Sequence, residues 1–221
     1  MATTRRGRTY ADRCGIARAL DLVGERWALL VVRELLLGPK RFTDLRRGMP
    51  ALGPDVLSQR LRELERAGIV ERRRLAPPAA SRVYALTGRG RELEPVVLAL
   101  GRWGSAAPVP RGEPAFGADS AMLALKTMFD PERARGLELE LEFRLGPDRY
   151  RAAVSAGGLE LERGEAEAPA ATIATDPRTL AELAFRGADL ERERAKGSVE
   201  LEGDAAGMSR FLALFAPRTE G

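Results

Sequence analysis

One segment, Pro54 to Ala67, sorts its side chains by chemistry. Val56, Leu57, Leu61 and Leu64 fall on one side of a helix, and Asp55, Ser58, Gln59, Arg62 and Arg66 on the other, at i, i+3 and i+4 spacing. Hydroxyl, carboxamide and guanidinium groups are the ones that reach base edges and phosphates. A guanidinium offers two parallel donors to guanine, and a carboxamide matches adenine. Arg72, Arg73 and Arg74 follow within a few residues, and Arg82 comes after a proline-bearing loop, Ala76 to Ala80. Lys40, Arg41 and Thr43 stand at the start of the preceding short helix, where side chains and backbone N–H groups hold phosphate. Taken singly, a polar-faced helix is a solvated surface and an arginine run is a surface run. Their order along the chain points instead to duplex DNA, with Ser58, Gln59 and Arg62 at base edges and Arg73, Arg74 and Arg82 at the backbone or minor groove.

Other chemistries are closed off. The 221 residues contain no histidine and one cysteine, Cys14. Histidine acid–base work, Ser/His triads, histidine or thiolate metal sites and an intrachain disulfide are all excluded. Glu160 and Glu162 could suggest carboxylate catalysis, but alternate positions on a strand read as a solvated edge. The expectation is a protein that is not an enzyme and carries no metal or cofactor. Cys14 keeps two readings: an accessible thiol that senses oxidants or electrophiles, with Arg13 and Arg18 favouring thiolate, or a small residue at the seam between two copies.

These groups need a scaffold, and the sequence sketches one. Ile16 to Val23 and Arg26 to Leu37 read as helices, the second with an apolar face of Trp27, Leu30, Val31 and Leu35 and a stop at Gly38-Pro39. Arg41 to Arg47 is a short helix, with Phe42 and Leu45 on one face. Pro54 suits the first turn of the polar-faced helix, and Gly68 ends it. Ile69 to Leu75 and Arg82 to Leu86 read as a hairpin, and Thr87 caps a last helix to about Trp103 that Pro95 kinks. Helices, a turn, a polar-faced helix and a basic hairpin make a winged helix.

Charge and composition divide the chain. Residues 1–111 carry a net +11 and residues 112–221 a net −7, within a total of +4. Ser105 to Ala118 holds Pro108, Pro110 and Pro114 and no helical period, which reads as a semi-extended linker. The expected domains are 1–104, the linker 105–118, and 119–221. Only the basic half is expected to meet a polyanion. No apolar run approaches the roughly 20 residues of a membrane span, and no signal core follows the basic start, so a cytoplasmic location and no membrane partner are expected.

In the second half, Leu137 to Leu145 alternates without a break. Tyr150 to Ser155, Leu159 to Arg163, Ala171 to Thr175 and Ser198 to Glu202 read as further strands of an antiparallel meander. Helices are expected at Ala121 to Phe129, Asp176 to Gly187 and Asp204 to Phe215. The result is an α+β domain with one antiparallel sheet and helices on one face.

The first half resembles the HxlR family of winged-helix regulators. The likeness runs from Cys14 to Trp103 and is carried by Cys14, ALDLVGERWALLVVRELLLGPKRFTDLRR (19–47), VLSQRLRELERAGIVERR (56–73) and YALTGRG (84–90). It implies a homodimer built through the terminal helices and Pro54 to Ala67 as the recognition helix. Gly15 replaces the proline the family often has after the cysteine, and Ser81 stands where its wing arginine is expected, with Arg82 one residue later. The second half is similar to sterol-carrier-protein domains through ATDPRTLAELAFRG (174–187) and GSVELEGDAAGMSRFLALF (197–215). That likeness implies an apolar cavity for a hydrophobic molecule, lined by Met122, Leu125, Phe129, Phe143, Phe185, Phe211 and Phe215; taken one at a time, each of these reads first as plain core.

The expectation is therefore a DNA-binding transcription regulator, acting as a homodimer on an inverted repeat in double-stranded DNA and controlled by a hydrophobic small molecule. The alternative is a carrier of hydrophobic ligands whose winged helix serves dimerisation or protein contact.

Overall fold

The computed structural model describes residues 9–75, 81–108 and 116–216. The loop expected at Ala76 to Ala80 and the middle of the expected linker lie outside them. The chain divides into two compact units, 1–94 and 95–221. That division falls ten residues before the end of the first domain expected from the sequence, because the helix from Glu94 groups with the second unit.

The first unit runs α1 (Gly15–Val23), α2 (Ala28–Leu36), α3 (Phe42–Gly48), α4 (Pro54–Arg66), β1 (Val70–Arg74), β2 (Arg82–Leu86) and α5 (Gly88–Arg91). Its core is one apolar cluster, with Val31, Val32 and Leu35 from α2, Leu45 from α3, and Leu57, Leu61 and Leu64 from α4 all essentially shielded from water. The last three recur at i, i+4 and i+7, which fixes the side of α4 turned inward. Trp27, Leu30 and Val56, expected on apolar faces, are not in this core: Trp27 is half-buried and precedes α2, and Leu30 and Val56 are exposed.

The second unit runs α6 (Glu94–Ser105), α7 (Ala118–Met128), β3 (Leu139–Leu145), β4 (Asp148–Ser155), β5 (Gly158–Arg163), β6 (Ala171–Thr175), α8 (Pro177–Phe185), α9 (Leu190–Ala195), β7 (Val199–Gly203) and α10 (Ala205–Ala213). The five strands form one sheet in the order β5-β4-β3-β6-β7. The sheet is mixed, which corrects the antiparallel meander. β3 and β6 run parallel, with Phe143 opposite Ile173, while the other three pairings are antiparallel. To reach β6 from the edge strand β5, the chain crosses the sheet face away from Phe143. On that crossing the Ala166 amide donates to Glu142 at 3.0 Å and the Ala170 amide to the Glu140 carbonyl at 2.8 Å. The crossing explains how Glu142, an outward position on an alternating strand, is 4% exposed.

The other face of the sheet carries the core. Met122, Leu125, Phe143 and Phe211 are fully buried, Phe215 is nearly so, and Phe129 and Phe185 are half-buried. Their rings pack on one another, Phe143–Phe211 at 5.5 Å, Phe211–Phe215 at 5.1 Å and Phe185–Phe215 at 6.1 Å, in the tilted geometries aromatic pairs favour. The five phenylalanines expected to line a cavity thus meet in one cluster, their rings serving as one another's packing partners.

A polar cluster ties α7 to the sheet. The Tyr150 hydroxyl donates to Asp119 Oδ1 at 2.5 Å, and Arg163 pairs with Asp119 and, at 2.6 Å, with Asp148. Burial, then the neighbouring Asp119 charge, pushes the Tyr150 phenol far above its ordinary range, so it stays a donor. No helix among the described residues is long and apolar enough to cross a membrane.

Candidate nucleic-acid interface

The geometry of α4 follows from its two ends. Pro54 sits in the first turn, where its missing N–H costs nothing. At the other end Gly68 takes φ +68°, the Ile69 amide reaches back to the Leu64 carbonyl at 2.9 Å, and Ile69 itself is buried. This closure satisfies the last carbonyls and turns the chain directly into β1. With Leu57, Leu61 and Leu64 inward, Gln59, Arg62 and Arg66 are left exposed and Ser58 half-buried. The Gln59 carboxamide donates to Glu63 at 3.0 Å along the helix, so its second N–H and its oxygen remain for other partners.

The hairpin is bolted to the helices. Lys40 and Tyr84 exchange two backbone hydrogen bonds, of 3.0 and 2.8 Å, which adds the chain before α3 to the edge of β2. Thr87 donates to the Gly68 carbonyl at 2.6 Å and accepts from the Gly90 amide at 3.0 Å, joining the start of α5 to the turn after α4. Gly90 passes so close to Ile69 that a Cβ there would lie 2.1 Å from its carbonyl oxygen. The hairpin and α4 are therefore held as one rigid piece.

The arginines of the hairpin differ in partners. Arg72 forks onto Glu65 at 2.8 and 3.0 Å and lies over the Tyr84 ring. The Arg73 Nε donates to Glu71 at 2.6 Å. Arg74 and Arg82 stand directly opposite each other in the ladder, both exposed, and neither has a partner among the described residues. Arg62, on α4, has none there either. Arg41 and Thr43 are exposed at the start of α3.

Lys40 departs from its expected place. It is 6% exposed, and its Nζ lies 2.6 Å from Glu34 Oε2, itself 2% exposed and also bound by Arg33 at 2.7 Å. The side chain is committed to a buried ion pair that joins α2 to the hairpin corner, which removes it from any phosphate-facing set. Nothing in the residue order points to this, since a lysine before a helix reads as surface.

Comparison with known proteins decides the kinship of this unit. The HxlR-like helix-turn-helix family matches residues 22–110. The HTH-type transcriptional regulator sll1512 of Synechocystis is 41% identical over 93 residues, which are 42% of this chain and 68% of the relative. The HTH-type regulator YvaP of Bacillus subtilis is 36% identical over 86 residues, 39% of this chain and 80% of the relative.

The chain belongs to the HxlR-like family.

The first unit is thus the winged helix of an HxlR-like transcriptional regulator. Solved structures similar in part include the redox regulator HypR in its oxidised form, 36% identical, with a TM-score of 0.39 over 44% of this chain and 100% of that one. Another is the quinone-bound YodB from B. subtilis, 33% identical, with a TM-score of 0.36 over 42% and 97%. Over residues 120–220 the match is to the alkyl sulfatase C-terminal family, where the sequence suggested a sterol-carrier-protein type. The HxlR-like match includes α6, so kinship keeps that helix with the winged helix although it packs with the second unit.

Proposed function

We propose that this HxlR-like regulator acts as a homodimer on an inverted-repeat operator, with α4 in the major groove and the β1–β2 hairpin on the phosphate backbone. Arg62 pairs with guanine, Gln59 with adenine, and Ser58 supports them. Arg41 and Thr43 hold phosphate at the start of α3, and Arg74 and Arg82, with Arg73 beside them, hold it at the wing. The observation that carries this reading is the facing pair Arg74 and Arg82, two cations on one rung of the ladder with no carboxylate partner among the described residues. Like charges directly opposite each other destabilise a ladder, and a phosphate between them reverses the sign.

The dimer is supported by apolar side chains left in water: Ile16 on α1 at 73% exposure and Val96, Leu100 and Trp103 on α6, the last at 78%. A second copy supplies the partner such faces want. Selection of bound duplexes from a random pool tests the reading. The expected product is an inverted repeat with half-sites about one helical turn, ~34 Å, apart. Enrichment of no sequence, or of a single unpaired half-site, counts against it.

The second unit is read as a non-catalytic effector domain of sterol-carrier type. A hydrophobic molecule enters at the half-buried rings Phe129 and Phe185 and shifts the dimer between geometries that do and do not fit the operator. A second reading concerns Cys14. It is exposed, next to α1, and two of the similar structures are a redox regulator and a quinone-bound protein. Diamide treatment that weakens operator binding in the native chain and not in Cys14→Ser supports a thiol sensor.

A further inference from the structure

We infer that Glu63 is a positioning residue for base reading: it orients the Gln59 carboxamide, leaving the amide oxygen and one N–H for the DNA, and so sets which base that side chain selects. This role rests on Gln59 facing a base edge, and it names what chooses among the bases.

The two ends of a carboxamide are alike in shape and opposite in hydrogen bonding, one an acceptor and the other a double donor. With the oxygen and one N–H presented, the group matches the amine and N7 of adenine. With the amino end alone presented, it offers only donors, which suit the N7 and O6 acceptors of guanine. An exposed glutamine without a neighbour can adopt either orientation. Gln59 has a neighbour: its Nε2 lies 3.0 Å from Glu63 Oε1, one helical turn along α4. A carboxylate only accepts, so the amino end faces Glu63 and the oxygen stays free.

Glu63 is itself held in place. Its other oxygen, Oε2, lies 2.6 Å from Arg60 Nη1. Arg60 is 8% exposed, and Glu25, from the link between α1 and α2, stands 3.4 Å from the same nitrogen. The two oxygens of Glu63 are thus divided, one to a buried cation and one to Gln59. The ion pair also offsets an acidic charge that would otherwise repel phosphate near the groove.

This division makes two substitutions differ in kind. Glu63→Ala removes the acceptor and frees the carboxamide to turn either way. In Glu63→Gln the buried Arg60 takes the new amide oxygen, which leaves an amino group toward Gln59. Gln59 then turns its own oxygen to that group and presents donors to the base.

The test uses the full chain and its selected operator, with each position changed in turn through all base pairs and affinities measured by fluorescence polarisation. The position that Gln59 reads is the one that Gln59→Ala levels. There the native chain is expected to favour adenine about tenfold, Glu63→Ala to keep a preference of about twofold or less, and Glu63→Gln to favour guanine. Affinity for a scrambled duplex should fall in neither Glu63 variant, which separates a turned side chain from a damaged helix. An adenine preference that persists in either Glu63 variant, or an equal loss on every duplex, overturns the inference and leaves Gln59 as a reader. If Gln59→Ala levels no position, Gln59 is not a reader and the role of Glu63 falls with it.

Discussion

Arg74 lies directly opposite Arg82 in the antiparallel ladder of the wing, and neither has a carboxylate partner among the described residues. Like charges facing each other across a ladder destabilise it, and an anion held between them relieves that cost. Arg74→Gln and Arg82→Gln should therefore leave folding unchanged or slightly firmer, while each lowers DNA affinity alike on all sequences and cuts the slope of log K against log salt by about one. Polarisation titrations at stepped salt, beside thermal unfolding, check both halves.

Arg62 stands on the exposed front of α4 and is expected to read a base. Arg62→Ala should cost about 1–3 kcal/mol on the selected operator and relax the preference at one position per half-site, with little change on random DNA. Unchanged operator binding removes Arg62 from the reading set.

Lys40 should behave in the opposite way. Lys40→Met leaves Glu34 buried with Arg33 as its remaining partner in this cluster, and should destabilise the fold by about 3 kcal/mol. Glu34→Met combined with it should recover most of the loss. The salt slope of DNA binding should not move in either. Denaturant unfolding with the same titrations separates this from a phosphate contact.

Glu142 gives the second unit an acid limb. Burial alone would raise its carboxyl. The hydrogen bonds from Arg144 and the Ala166 amide, with the charges of Arg144 and Arg149, outweigh burial and hold it below its usual 4.5. A group depressed in the folded state stabilises it above the unfolded value and loses that contribution as pH falls through the folded one. Unfolding free energy should drop as pH goes below about 4.5, and Glu142→Gln should flatten that drop.

The elements that face one core were legible because their periodicity is the core's imprint. Leu57, Leu61 and Leu64 announce α4, and the alternation from Leu139 to Leu145 announces β3. What alternation does not carry is the identity of a strand's neighbour, so the parallel β3–β6 pairing was hidden behind a crossing of polar and small residues. α9, LERERA, was missed because Leu190 is its only buried residue and leaves no stripe. The expected single helix after Thr87 is two, α5 and α6, broken at Glu92 and Leu93; Pro95 lies in the first turn of α6, where it does not kink the helix. On the site, exposed Arg62, Arg74 and Arg82 follow from residue type, whereas Lys40 and Arg60 are charged residues hidden by tertiary packing.

The central claim is that α4 and the wing together engage duplex DNA. Its most direct test is the affinity of the purified chain for its selected operator and for a scrambled duplex, across a salt series. The account requires tight, operator-preferring binding whose log K falls steeply and linearly with log salt as several phosphates are neutralised. Weak binding that ignores both sequence and salt would contradict it and favour a ligand carrier that uses its winged helix to dimerise.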